Sequence, residues 1–212
     1  FQLAAEGHGP RQPPDHLRAR LMRAMDPLPI WYPPFGESAG PGYPLHALTQ
    51  RPMDMYHSWG SQNAWLRQIR GWNALYVPTK VWVEHGFAAG DWAWLYSTNG
   101  RITVRVAHMA ALNDNTVWTW NAIGKRKAAW ALDDSAPEAR LGFLLNHLIS
   151  ERLLDEGAAA GLSNSDPVTG QAAWFDLRVR IEKVPAKMRP LGDQSQPVFQ
   201  PIARVVPQGR MR

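Results

Sequence analysis

Three clusters of polar side chains in this 212-residue sequence carry functional groups at spacings that permit chemistry. The first is Leu48-Thr49-Gln50-Arg51, followed by His57-Ser58-Trp59-Gly60-Ser61-Gln62-Asn63. An apolar run ends in hydroxyl, amide and guanidinium groups, and a polar loop containing Gly60 then enters a helical pattern. A helix start with free N–H groups, hydroxyls and an arginine can cradle a phosphate. The amides of Gln62 and Asn63 can read the edge of a heterocyclic base. The plainer reading of the same residues is a capped helix start, with Ser58 or Ser61 as N-cap.

The second cluster is Ile123-Gly124-Lys125-Arg126-Lys127, after Trp118-Thr119-Trp120. Cations beside aromatic rings can bind single-stranded nucleic acid by charge and stacking; a solvated basic loop following a core strand has the same composition. No recognised nucleic-acid motif accompanies it. The third pairs Asn146, at the end of an amphipathic segment, with the turn Asp166-Pro167-Val168-Thr169-Gly170-Gln171.

A self-contained catalytic set is not among these residues. His8, His16, His46, His57, His85, His108 and His147 include no i, i+4 pair and no HExxH pattern, so a protein-built metal site is not expected. Gly-x-Ser-x-Gly and P-loop patterns are missing, and Gly7-His8-Gly9 lacks the strand-to-helix context of a dinucleotide fingerprint. Asp133-Asp134 reads as a charged cap before a helix rather than a catalytic dyad. With no cysteine, this chain has no disulfide, thiolate metal site, iron–sulfur ligand or Cys nucleophile of its own.

The elements that must position these residues are mixed. Tyr43–Leu48, Trp92–Ser97, Arg101–Ala107, Thr116–Trp120 and Phe175–Val184 read as strands. In two of them the alternation of Ile102, Val104, Val106 and of Leu177, Val179, Ile181 with polar residues marks one buried face. Asn99-Gly100 predicts a tight hairpin with positive φ at both positions. Ser61–Arg70 reads as a helix with Ala64, Trp65, Gln68 and Ile69 on one side. Pro78–His85 reads as a helical turn ended by Gly86. Ser135-Ala136-Pro137-Glu138 fits a capping box, and Leu141, Leu144, Leu145, Leu148 and Ile149 follow at helical spacing. Short strands with two or three helices predict a small barrel with helices packed outside.

Proline sets the boundaries: nine of the 18 prolines lie in residues 1–44 and five in 185–212. We therefore expect an extended Pro-rich arm over 1–42, a compact domain over 43–184 and a loose tail over 185–212. The hydrophobic content of 45% suffices for a core, and no apolar run reaches the roughly 20 residues needed to span a bilayer. The start at Phe1-Gln2-Leu3-Ala4 has no initiator Met and reads as the edge of a longer chain. The formal charge of +5 favours anionic partners or simply solubility.

The order of the pieces resembles the molybdopterin dinucleotide-binding C-terminal domain of the dimethyl sulfoxide reductase superfamily. Thr49, Gln50, Arg51, His57, Gly60, Ser61 and Asn63 match the opening of that domain, with Gln50 where the family usually has Gly. Pro78, Gly86, Gly90, Asp91 and Gly100 match its helix, Gly-Asp turn and hairpin. Asn146 and Leu148 match its Asn-x-Leu segment. "DPVTGQAAWFDLRVRIEKV" resembles its closing element, with Ala172-Ala173-Trp174 departing from the usual Pro and polar residues. The segments "MYHSWGSQNAWLRQI" and "TWNAIGKRKAAWALD" are most similar to sulfite dehydrogenase-type large subunits in the polysulfide and thiosulfate reductase branch.

The resemblance implies a mainly β fold with peripheral helices, a six-stranded double-psi barrel of the aspartate decarboxylase-like kind. It implies a bis-molybdopterin guanine dinucleotide cofactor with molybdenum or tungsten, and no catalytic residue in this chain. Thr49, Gln50, Arg51, His57, Ser58, Gly60, Ser61, Gln62, Asn63, Asn146 and Gln171 become the cofactor-binding residues, and a 4Fe-4S cluster lies in other domains. The implied partners are the N-terminal domains of the same polypeptide, a membrane anchor and a ferredoxin-like iron–sulfur subunit, without direct membrane contact by this chain. The implied location is cytoplasmic or facing the cytoplasm on a membrane, with the periplasm still open. The implied activity is oxidoreduction of an inorganic sulfur compound such as sulfite, with this segment inactive alone. Two other readings stay open: a basic nucleic-acid module using Trp118, Trp120, Lys125, Arg126 and Lys127, and a structural domain that wraps a partner with its arm.

Overall fold

The structure is a computed structural model, and it describes residues 2–24, 39–60, 63–70, 72–121, 123, 143–149, 171, 177–188 and 200–201. The chain divides into two compact units, residues 1–35 with 151–173, and residues 36–150 with 174–212.

In the first unit the Pro-rich segment is not extended throughout. Helices α1 (Gln2–Ala5) and α2 (Asp15–Ala24) form where the sequence is free of proline. Asp15 sits in the first turn of α2, where a carboxylate favours the positive end of the helix dipole. Arg18 donates to the Ala5 carbonyl at 2.6 Å and pairs with Asp15 at 3.5 Å, tying the two helices together.

The second unit is built on strands β1 (Leu45–Gln50), β2 (Leu75–Val77), β3 (Trp92–Tyr96), β4 (Gly100–His108), β5 (Thr116–Trp120), β6 (Leu177–Lys183) and β7 (Gln200–Pro201). The first six pair in the order β2-β5-β1-β6-β3-β4, and β4 pairs again with β2, which closes the ring. β1–β5 and β2–β4 are parallel, and the other ring pairings are antiparallel. This closed six-stranded mixed barrel is the mainly β architecture expected from the sequence. β7 adds two residues to the start of β4, opposite Gly100 and Arg101.

Alternation sends Ala47 of β1, Ala93 and Leu95 of β3, Ile102, Val104 and Val106 of β4, Val117 of β5, and Val179 and Ile181 of β6 into one buried cluster. Truncating a fully buried member such as Leu95 to Ala costs about 2–5 kcal/mol, because the lost contacts leave a cavity.

Helix α5 (Thr79–Glu84) starts after Pro78 and is closed by Gly86 at φ +58°. Phe87 N–H donates to the Trp82 carbonyl and Gly86 N–H to the Val83 carbonyl, each at 3.0 Å, while the Phe87 ring packs 5.8 Å from that of Trp82. This is the C-terminal cap that the glycine predicts.

Three expectations need correction. The β3–β4 connection is not a two-residue turn with positive φ, since neither Asn99 nor Gly100 has positive φ. Tyr96 pairs with Arg101 and β4 begins at Gly100, which leaves a three-residue connection, Ser97 to Asn99, held by the Ser97 hydroxyl bonded to the Asn99 N–H at 3.1 Å. The α-helix expected to reach Ile149 is instead extended at Leu144, followed by a 3₁₀ turn over Leu145–Leu148. Ser97 Oγ donates to the Leu148 carbonyl (2.7 Å), and Asn99 Nδ2 donates to those of His147 and Ile149 (both 3.3 Å). These side chains claim carbonyls that an α-helix would use internally. Finally, helix α4 covers Ala64–Ile69, not Ser61–Arg70, and its N-cap is Asn63 rather than Ser58 or Ser61. The expected capping box at Ser135–Glu138, the Asp133-Asp134 pair, the Lys125–Lys127 run and the turn at 166–170 lie outside the described residues.

Candidate functional site at the barrel mouth

Where β1 runs out, Thr49 is buried on the inward side of the strand and Gln50 turns to solvent. Parallel register sets Thr49 opposite Thr119 and Gln50 opposite Trp120, so the ends of β1 and β5 meet at one mouth of the barrel. The Gln50 carbonyl accepts from the Asn121 N–H at 2.9 Å, extending the ladder one residue past β5.

The chain after β1 folds back over this mouth. Helix α3 (His57–Gly60) begins at His57, which has φ +46°. This is the positive-φ non-glycine residue among the described residues, in a region that costs an L-residue about 1–2 kcal/mol. The exposed Arg51 guanidinium approaches His57 Nε2 at 3.4 Å. Gly60 is buried, and a Cβ there would meet Met55 Cα at 3.2 Å and Leu66 Cδ1 at 3.3 Å, so the close passage of the two segments requires glycine. Asn63 is exposed, with Oδ1 accepting from the N–H groups of Trp65 (2.9 Å) and Leu66 (3.4 Å). Two of the first donors of α4, the N–H groups of Trp65 and Leu66, are therefore capped from within the chain.

Several residues at this mouth were not singled out by the sequence. Arg70, at the end of α4, donates from Nε to Asp54 Oδ1 at 3.1 Å, and its guanidinium lies 4.3 Å from the centre of the Trp120 ring. Asn73 is buried, donating to the carbonyls of Trp120 (2.9 Å) and Ile123 (3.4 Å). Their roles come from the pairing of distant strands, for which no local pattern gives a signal.

Four polar atoms here are covered by protein yet have no hydrogen-bond partner among the described residues: Thr49 Oγ1, Asp54 Oδ2, Trp120 Nε1 and Asn121 Oδ1. A fifth, Arg105 Nε, belongs to β4 beside the rings of Trp72 and Trp92. Each unpaired buried group costs about 1–3 kcal/mol, so native chains rarely leave several together without a purpose. The set at the mouth includes acceptors (Asp54, Asn121), a donor (Trp120) and a hydroxyl that can do either (Thr49). A heterocycle with both N–H and C=O edges suits that mixture, so the residues present fit a pterin or guanine group.

The remaining expected site residues are placed as follows. Asn146 is exposed on the 3₁₀ turn held by Ser97 and Asn99. Gln171 is exposed and belongs to the first compact unit. Ser61 and Gln62 lie outside the described residues, as do 172–174, and Ser58 falls within α3. Trp118 packs edge-on to Trp120 with ring centres 4.4 Å apart and lies 5.0 Å from the centre of the Tyr76 ring, while Arg70 covers Trp120. Each of these rings thus has an aromatic or cationic partner within the protein. Among the described residues no group of three His, Asp or Glu could hold a metal, and no helix is long and apolar enough to cross a membrane.

Fold and site together define a closed mixed barrel with an under-satisfied polar mouth, a common place for a protein to hold a ligand. The chain is 51% identical over 215 residues to a sulfite dehydrogenase subunit of Allochromatium vinosum, a match that takes in 100% of this chain and 22% of that protein. It is thus a close homologue of that protein, spanning about a fifth of its length. The solved structure of acetylene hydratase from Pelobacter acetylenicus superposes with a TM-score of 0.55, covering 75% of this chain and 22% of that one at 19% identity, and shares the fold. No protein-family model matches the chain.

Proposed function

We propose that this chain forms one wall of a slot for molybdopterin guanine dinucleotide, in the catalytic polypeptide of a molybdenum or tungsten oxidoreductase that acts on an inorganic sulfur compound such as sulfite. The observation that carries the reading is the group of four unpaired buried polar atoms at the barrel mouth. The 51% identity to a sulfite dehydrogenase subunit supports the sulfur substrate. The cofactor, when bound, supplies the redox chemistry, and the protein supplies binding, orientation and electrostatics.

Within this reading Arg51 and Ser61 contact phosphate or ribose. Thr49, Trp120 and Asn121 meet the heterocycle edges, and His57, Gln62 and Asn63 contribute at the loop, Asn63 through the Nδ2 that capping leaves available. Gln50, Ser58 and Gly60 shape the loop, and Asn146 completes the pocket. The partners in this reading are the other domains of the same polypeptide, a membrane anchor and an iron–sulfur subunit that carries electrons.

The Thr49→Val substitution in the full-length enzyme tests it. Removing an unpaired hydroxyl while keeping its shape leaves the cofactor-free protein as stable or more stable. A hydroxyl that bonds the cofactor also makes the variant purify with less pterin and metal per mole. Full pterin content with unchanged retention on dilution would overturn the assignment.

A further inference from the structure

Strand direction places a second loop at the barrel mouth. β1 is parallel to β5 and antiparallel to β6, and β6 is antiparallel to β3. β3 therefore runs the same way as β1 and β5, and it ends where they end. β4 runs back antiparallel to β3, so the connection between them, Ser97 to Asn99, stands at the same end of the barrel as Thr49 and Trp120. The 3₁₀ turn that carries Asn146 is bonded to that connection, which brings Asn146 to the mouth as well.

The turn is poorly held by its own bonds. His147 N–H to the Leu144 carbonyl is 3.4 Å and Ile149 N–H to the Asn146 carbonyl is 3.3 Å, both long for an N–H···O bond. The β3–β4 connection supplies what the turn lacks. The three carbonyls that follow Asn146 all accept from it, Leu148 from Ser97 Oγ at 2.7 Å, and His147 and Ile149 from Asn99 Nδ2 at 3.3 Å each. Ser97 is almost wholly buried, and its hydroxyl also accepts from the Asn99 N–H, so its orientation is fixed from both sides. Leu145 and Leu148, three apart and so aligned in a 3₁₀ turn, are both buried in the core. Asn146 stands exposed between them.

We propose that Ser97 and Asn99 are positioning residues, which hold the main chain beside Asn146 so that its amide meets the ligand at the mouth without first being ordered. This rests on the cofactor slot proposed above and adds two residues that act through a third. A segment already held still loses less freedom on binding, so affinity rises without a new contact.

A double-mutant cycle in the full-length polypeptide tests this, read both as the rate of pterin release, followed by fluorescence at a temperature where every variant is folded, and as the midpoint of chemical unfolding. Asn146→Ala removes one hydrogen-bonding amide and speeds release about tenfold, and Asn99→Ala speeds it roughly threefold or more. The double variant Asn99→Ala/Asn146→Ala then releases pterin no faster than Asn146→Ala alone, although Asn99→Ala still lowers the unfolding midpoint in both backgrounds. A purely structural Asn99 would not produce that split. Ser97→Ala runs the same cycle independently, which covers the case of an Asn99→Ala enzyme that does not fold. Effects on release that multiply in the double variant, or an Asn99→Ala enzyme that holds pterin like the parent, overturn the positioning role and leave the slot intact. Full retention by Asn146→Ala removes Asn146 from the slot and this inference with it; full retention by Thr49→Val as well sinks the slot itself.

Discussion

Asn73 and Thr119 join the segment before β2 to the inner side of β5: the Thr119 hydroxyl lies 3.1 Å from Asn73 Oδ1 and 2.9 Å from the Ala74 carbonyl. Both residues are almost wholly buried. Because Asn73 Nδ2 also bonds the carbonyls of Trp120 and Ile123, one amide fixes the path of the chain as it leaves the barrel. Asn73→Ala strips partners from buried carbonyls, and we expect a loss of about 2–4 kcal/mol. A urea titration reads this as a lower midpoint at unchanged slope.

Arg70 makes two different contacts with one group, an ion pair to Asp54 and a stack on Trp120. Arg70→Lys keeps the charge but not the planar stack or the fixed Nε donor, whereas Arg70→Ala leaves the mostly buried Asp54 unpaired. We expect about 1 kcal/mol lost for Lys and about 2–4 kcal/mol for Ala. Chemical denaturation of both variants checks the order, and an alanine variant milder than the lysine one would contradict it.

The positive φ of His57 separates backbone strain from side-chain function. His57→Gly relieves the strained geometry but loosens the unfolded chain, so stability stays within about 1 kcal/mol of the parent. His57→Ile places a β-branched residue where it fits worst and loses about 1–2 kcal/mol beyond the glycine variant. If His57 also holds cofactor, both variants of the full-length enzyme lose pterin while only the isoleucine variant loses stability.

Gly60→Ala drives a methyl toward the Met55 backbone at 3.2 Å, an atom that cannot rotate away. We expect about 1–3 kcal/mol of destabilisation. Thermal unfolding of the variant checks the figure. Gly86→Ala also costs stability, through φ +58° alone, because no atom lies within 4 Å of the added carbon.

Much of the barrel is legible in the sequence because its strands alternate. β4 and β6 declare a buried face through Ile102, Val104, Val106, Val179 and Ile181, and the expected bounds of β5 match the structure to the residue. β2 gives no such signal because three residues are too few to show a period; Leu75, Tyr76 and Val77 are a strand only because β4 and β5 flank them. The cap of α4 is ambiguous in the sequence since Ser58, Ser61 and Asn63 all have suitable side chains, and the fold of the preceding loop decides among them. Thr49 can be suspected from its place at a strand end. Asp54, Asn73 and Asn121 cannot, since what brings them to the mouth is the parallel register of β1 with β5.

The ring has a consequence for how the protein is made. β6 lies between β1 and β3, so the circle stays open until the ribosome has released Lys183. Throughout that interval β1 and β3 each have one side without a neighbour, the condition under which strands recruit strangers. Translation speed over the stretch that encodes β6, and chaperones that shield bare strand margins, therefore bear directly on how much of this protein reaches its native form.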